Sequence, residues 1–212
     1  MLSVLALALS ILTLPVLRYT HNGDINILYN TPPLAHTEGS LDGYQRKKYL
    51  SKIVFTYILG YQVDVGHMEA VNLISSTKYS EKQIGYLALT LLMHENSDLI
   101  RLVINSIRKD LDNMEEVNNC LALHAIANIG NKEMAETLAP DVHRLLISPT
   151  SKSFVKKKAA LTLLRLYRKS PECIEVNEWG LRIVSILDDR NLASHILSHS
   201  LMSLMISANT ET

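Results

Sequence analysis

The sequence predicts an all-α fold, a right-handed alpha-solenoid of stacked helical hairpins. Three observations carry that expectation. The composition is aliphatic: 212 residues include 2 Phe, 1 Trp, 8 Gly and 6 Pro, which favours helices over sheets. From Leu41 onward, short segments of helical period alternate with Gly, Asn, Ser, Asp and Pro punctuation. Those segments also repeat. IGYLALTLL (84–92), LALHAIANI (121–129) and AALTLLRLY (159–167) align at offsets of 37 and 38 residues. In that register Gly85 falls on Ala122 and Ala160, Tyr86 on Leu123 and Leu161, and Leu89 on Ile126 and Leu164. Helix pairs recurring at this period are the signature of HEAT or armadillo arrays.

Taken in order, residues 1–17 (MLSVLALALSILTLPVL) carry no charge and have the length of a signal-peptide core, but no basic n-region precedes them. Residues 19–40 are turn-rich and read as a linker. Helices are expected near 41–59, 66–75, 80–94, 97–112, 116–129, 132–147, 152–168, 178–188 and 191–206. Ser80 with Gln83 forms a capping-box pattern, and Ser97 before DLIR is a further N-cap candidate. Gly130 suits a left-handed C-cap, and Pro171 should stop the helix before it. The 41–59 helix reads as the second member of a pair, and neither end shows a polar capping unit. The chain is therefore expected to be a fragment or altered version of a longer array, with 1–40 outside the solenoid, 41–192 forming it, and 193–212 a divergent last helix and tail. Exposed apolar surface is expected with it.

Lys plus Arg and Asp plus Glu each number 21. No global field pulls the chain toward nucleic acid or membrane, so anion affinity must be local. Cys120 and Cys173 share no ligand spacing; two reduced thiols are the plain expectation, with Cys120 a small core residue. No catalytic motif emerges, so neither an enzyme nor a cofactor is expected. His195 and His199 stand at i, i+4 without further ligands, so no metal is expected. His67, His94 and His124 are isolated, and Met68, Met93, Met202 and Met205 read as core filler.

Two basic clusters remain. GYQRKKYLSK (43–52) sets Arg46, Lys47 and Lys48 beside Tyr49, with Lys52 a turn later. Three adjacent cations cannot share one face in mid-helix, but near a helix start they and free backbone N–H groups can converge on one anion. The second cluster, Lys156, Lys157 and Lys158 with Arg165, Arg168 and Lys169, reads as a solvated helix face or a subunit contact.

LDGYQRKKYLSK, GHMEAVNLISSTKYSEKQIGYL, ENSDLIRLVINSIRKDL, LALHAIANIGNKEMAE and VKKKAALTLLRLYRKSP strongly resemble the trunk of the alpha-adaptins, the large alpha subunits of clathrin adaptor protein complex 2. The resemblance runs from Leu41 to Leu192, and its details look more fungal than animal. It implies a non-catalytic trunk on the cytoplasmic face of the plasma membrane, in clathrin-coated pits and in cytosol. It also implies partner beta, mu and sigma subunits and, through them, the clathrin coat. Its phosphoinositide motif, a run of Lys followed by Tyr, matches Arg46, Lys47, Lys48, Tyr49 and Lys52, the expected contacts for phosphatidylinositol 4,5-bisphosphate. The apolar leader departs from the basic amphipathic helices that open family members, so no cargo-binding residues are carried over. It leaves a second reading open, a secreted or membrane-anchored helical-repeat protein; under the first reading the leader comes from an alternative first exon, a shifted reading frame or a mis-joined gene model.

Overall fold

The computed structural model describes residues 41–94, 99–173 and 179. Among them the chain forms seven α-helices: α1 (Gly43–Ile58), α2 (His67–Ile74), α3 (Tyr79–Leu92), α4 (Ile100–Leu111), α5 (Glu116–Ile129), α6 (Lys132–Ile147) and α7 (Ser153–Lys169), followed by a 3-10 turn at Pro171–Cys173. These match the first seven expected helices. The leader and linker, Ser97, the helices expected at 178–188 (Trp179 apart) and 191–206, and with them His195, His199, Met202 and Met205, lie outside the described residues. Among the described residues no helix is long and apolar enough to cross a membrane.

The helices stack as expected for a solenoid. α2 with α3, α4 with α5 and α6 with α7 form hairpins. Their first members make one row, α2–α4–α6, and their second members another, α1–α3–α5–α7. α1 thus opens the described stack as a second-of-pair helix.

Burial corrects the repeat. Gly85, Tyr86, Ala88, Leu89 and Leu92 are buried in α3, and 37 residues on so are Ala122, Leu123, Ala125, Ile126 and Ile129 in α5. A second step of 37 lands on buried Ala159, Ala160, Thr162, Leu163 and Leu166 in α7. The step of 38 taken from sequence put Leu123 over Leu161, which is 39% exposed. α7 carries so many leucines that a one-residue slip still aligns apolar side chains, and only burial separates the two registers. The small residue at the head of each motif does allow close approach. A Cβ on Gly85 would stand 2.8 Å from Ile74 N and 2.9 Å from Leu73 Cβ.

Four further expectations change. α3 begins at Tyr79, so Ser80 lies inside the helix and makes no capping box with Gln83. Ser76 does the work instead: its hydroxyl accepts from Lys78 N (3.1 Å) and donates to Glu81 Oε2 (2.7 Å). Gly130 is a C-cap but extended (φ −56, ψ 118), not left-handed; glycine suits it because a Cβ would stand 2.4 Å from Ile126 O. Met68 is exposed rather than core filler, while Met93 is buried. Cys120 is only half-buried, packed against the core. Ser170 ends α7 and Pro171 follows, as expected.

One polar knot crosses the core. In α4, Asp110 occupies the rung held by Leu73 in α2 and Leu145 in α6, and it is 3% exposed. From α3, Lys82 Nζ donates to Oδ1 (2.5 Å) and the Tyr86 hydroxyl to Oδ2 (2.7 Å). From α5, the Asn119 amide donates to the Asp110 and Leu111 carbonyls at 2.8 and 3.0 Å. Burial, then the neighbouring Asp110 charge, pushes the Tyr86 phenol well above its ordinary range, so it stays a donor.

Asp110→Ala should lose about 3–5 kcal/mol in denaturant unfolding, the usual cost of leaving a buried charge unpaired. The triple change K82M/Y86F/D110L should recover most of that loss. Glu81 gives a pH signature. The Ser76 hydrogen bond, then Lys78, holds its carboxyl below the usual carboxylate range. A depressed folded pKa contributes stability above the unfolded value, lost as pH falls through the folded one. Glu81→Gln should therefore lower Tm near neutrality, with the gap closing on acidification; a gap independent of pH would contradict this role.

Candidate functional site

The first basic cluster lies on α1, whose start is fixed by a capping box. Asp42 Oδ1 accepts from Gln45 N (2.6 Å), and Gln45 Oε1 accepts from Asp42 N (3.4 Å). Beneath that turn, Gly43 lies so close to Glu81 of α3 that a Cβ would meet its carboxylate at 2.3 Å. Two acids therefore lie at the helix start, and Asp42 takes the Gln45 N–H, one of the groups expected to meet an anion there. This DxxQ pattern was as legible in sequence as the SxxQ pattern at Ser80; the two differ in where the preceding chain lets the helix begin.

The five expected residues divide by direction. Arg46 turns back, its guanidinium donating to Leu41 O (3.0 Å). Lys48 is exposed and Lys52 half-exposed; one turn apart, they lie ~40° from each other at ~100° per residue. Lys47 stands ~100° to one side of Lys48 and Tyr49 ~100° to the other. Among the described residues, Lys47, Lys48 and Lys52 make no ion pair. Tyr49 packs partly buried against the α1–α3 core. That burial, and then Glu69, raises its phenol pKa, keeping the hydroxyl a donor near neutrality. The structure thus brings Lys48 and Lys52 onto one face, flanks them with Lys47 and Tyr49, and draws Arg46 away. Cations of flexible reach beside a hydroxyl donor suit a phosphorylated headgroup.

The second cluster lies on α7, where Lys158, Arg165 and Arg168 are exposed and Lys156 and Lys157 half-exposed. Lys169 instead donates to Gly130 O (3.0 Å). His67 Nε2 lies 3.2 Å from Leu92 O, fastening α2 to the end of α3. Among the described residues no three His, Cys, Asp or Glu side chains gather to hold a metal.

The family described as "Adaptin N terminal region" matches residues 29–208. The chain is 47% identical over 174 residues to the AP-2 complex subunit alpha-1 of Arabidopsis thaliana, covering 82% of this chain and 17% of that one. It is 48% identical over 167 residues to the AP-2 complex subunit alpha of Schizosaccharomyces pombe, covering 79% and 19%. It is 49% identical over 172 residues to the alpha-2 subunit of Dictyostelium discoideum, covering 81% and 17%. Such even values do not single out a fungal source. The chain spans less than one-fifth of the length of these curated relatives. In fold it resembles a chain of a homology model of the full-length AP-3 complex in an intermediate open conformation, with TM-score 0.64, 22% identity, and coverage of 81% of this chain and 29% of that one. The helical stack, its repeat and these matches agree: the chain belongs to the adaptin family, and what it holds is the N-terminal trunk region of an AP-2 alpha-type adaptin.

Proposed function

We infer that this chain works as the membrane-proximal part of an adaptor trunk in clathrin-mediated endocytosis, recruited to the cytoplasmic leaflet of the plasma membrane by phosphoinositide. The observation that carries this is the lysine face of α1, where Lys48 and Lys52 point one way without ion pairs among the described residues. Lys47 and the Tyr49 hydroxyl flank the headgroup of phosphatidylinositol 4,5-bisphosphate, while Arg46 shapes the turn before them. The role is electrostatic and non-catalytic. The rows of stacked helices supply the surface on which beta, mu and sigma subunits assemble, and through them the chain reaches coated pits.

Each basic residue near an anionic bilayer contributes about 1 kcal/mol, and 1.4 kcal/mol is tenfold in affinity. K47E/K48E should therefore weaken sedimentation with vesicles containing phosphatidylinositol 4,5-bisphosphate by at least about 30-fold. The remaining binding, through Lys52, should show a shallower salt dependence. Unchanged sedimentation by a variant whose circular dichroism matches the parent would remove the site from α1.

A further inference from the structure

The chain has no net charge, yet its charges are sorted by row. The first-of-pair helices α2, α4 and α6 hold five basic and five acidic residues. On their surface these are largely paired: Arg101 with Glu133 (3.0 Å), Arg108 with Asp141 (3.3 Å), and Arg144 with Asp112 and Asp141. The second-of-pair helices α1, α3, α5 and α7 hold eleven basic residues and two carboxylates. Both carboxylates are already engaged, Glu81 with Lys78 and Glu116 with Lys152. α1 accounts for four of the cations and α7 for six. The row is thus positive at its two ends, and between them α3 and α5 add only Lys82, buried and paired with Asp110.

The α7 end is built differently from the α1 end. Lys158 and Arg165 stand seven residues apart, two turns or ~10 Å along one helix face. Leu161 lies between them, 39% exposed, and Phe154 lies a turn before, 45% exposed. From α5, Asn128 Oδ1 accepts from Arg165 Nη1 (3.1 Å), which fixes the guanidinium across the seam between the two helices. The Asn128 amide in turn lies 3.1 Å from His124 Nε2. Partial burial and the charges of Lys158 and Arg165 hold His124 below the usual imidazole range. Among the described residues neither Lys158 nor Arg165 pairs with a carboxylate.

We propose that the face shared by α5 and α7 is a docking surface for an acidic amphipathic helix of a protein partner. Its carboxylates, two turns apart, meet Lys158 and Arg165, and an aliphatic side chain between them covers Leu161. An Arg pinned by an amide presents its remaining donors in a fixed fork, which suits a carboxylate or a phosphate. A protein segment fits this face better than a lipid headgroup because exposed apolar side chains interleaved with the cations give the surface an apolar centre and a charged rim, as in protein interfaces. The surface is independent of the lysine site on α1.

The probe is a fluorescein-labelled helical peptide with two Glu seven residues apart and Leu between them, titrated with the full chain and followed by anisotropy. Binding should weaken at least tenfold in K158E/R165E, and likewise in the milder K158Q/R165Q and L161S, while K47E/K48E binds as the parent does. A peptide with Gln for both Glu should bind at least tenfold more weakly. Binding that is equal in parent and K158Q/R165Q overturns the proposal. So does loss of phosphatidylserine vesicle binding in K158Q/R165Q without any peptide binding to the parent, which would make this face a membrane contact. No peptide binding and no vesicle effect would return α7 to an ordinary solvated face.

Discussion

Asp110 is the point at which three helices are held to one another by something other than apolar contact. Its carboxylate takes Lys82 and Tyr86 from α3, and its backbone carbonyl takes Asn119 from α5. Stacked helical hairpins are quasi-one-dimensional, and apolar rungs alone are tolerant of small slips along the helix axis. A charge buried at one rung is not. Moving α4 by a single residue would leave an ammonium, a phenol and a carboxylate unpaired in the core, at a cost of several kcal/mol. The knot thereby selects one register for the α3–α4 junction, and the apolar rungs on either side follow.

From that junction the stack propagates outward to the lysine site. Gly85 lets α3 lie against α2, and Gly43 lets the start of α1 lie over Glu81 at the start of α3. Glu81 is held in turn by Ser76 and Lys78. The site's orientation therefore descends from the core: which lysines of RKKYLSK face outward is decided by how α1 seats Leu50, Ile53 and Val54 on α3. A site carried on a helix packed in this way is positioned more sharply than one on a loop.

The helices were legible because amphipathic period and punctuation are local. α5 and α6 begin and end where sequence alone placed them, and α6 keeps its path through Pro140, which lies on its exposed side. What sequence hid were choices made by tertiary neighbours. Ser80 and Asp42 offered equivalent capping patterns, and only the seating of each helix decided between them. The α7 register was ambiguous because leucine-rich text aligns with itself at neighbouring offsets. At the lysine site, residue identities were readable but directions were not: Arg46 is spent on a carbonyl, and no one-dimensional pattern distinguishes it from Lys48. Asp110 was the deepest omission. An acid on an otherwise apolar helix face could have flagged a buried pair, since an uncompensated carboxylate is rarely found there.

The sorting of charge by row follows from the same architecture and explains why bulk composition misleads here. In a stack of hairpins, each row of helices meets solvent on its own side, so the two surfaces can be selected separately. In the α2–α4–α6 row, ion pairs lace α4 to α6, each worth little alone, and the row's five basic and five acidic residues leave no surplus charge. On the α1–α3–α5–α7 row Lys82 is buried against Asp110, but Lys47, Lys48, Lys52, Lys158 and Arg165 pair with no carboxylate among the described residues, and like charges on a face repel one another, a cost that folding alone does not reward. A net charge of zero is thus the sum of a neutral face and a positive face, balanced by acids elsewhere in the chain. Like charges crowded on one face raise the local potential, and an anion that meets such a face relieves the repulsion.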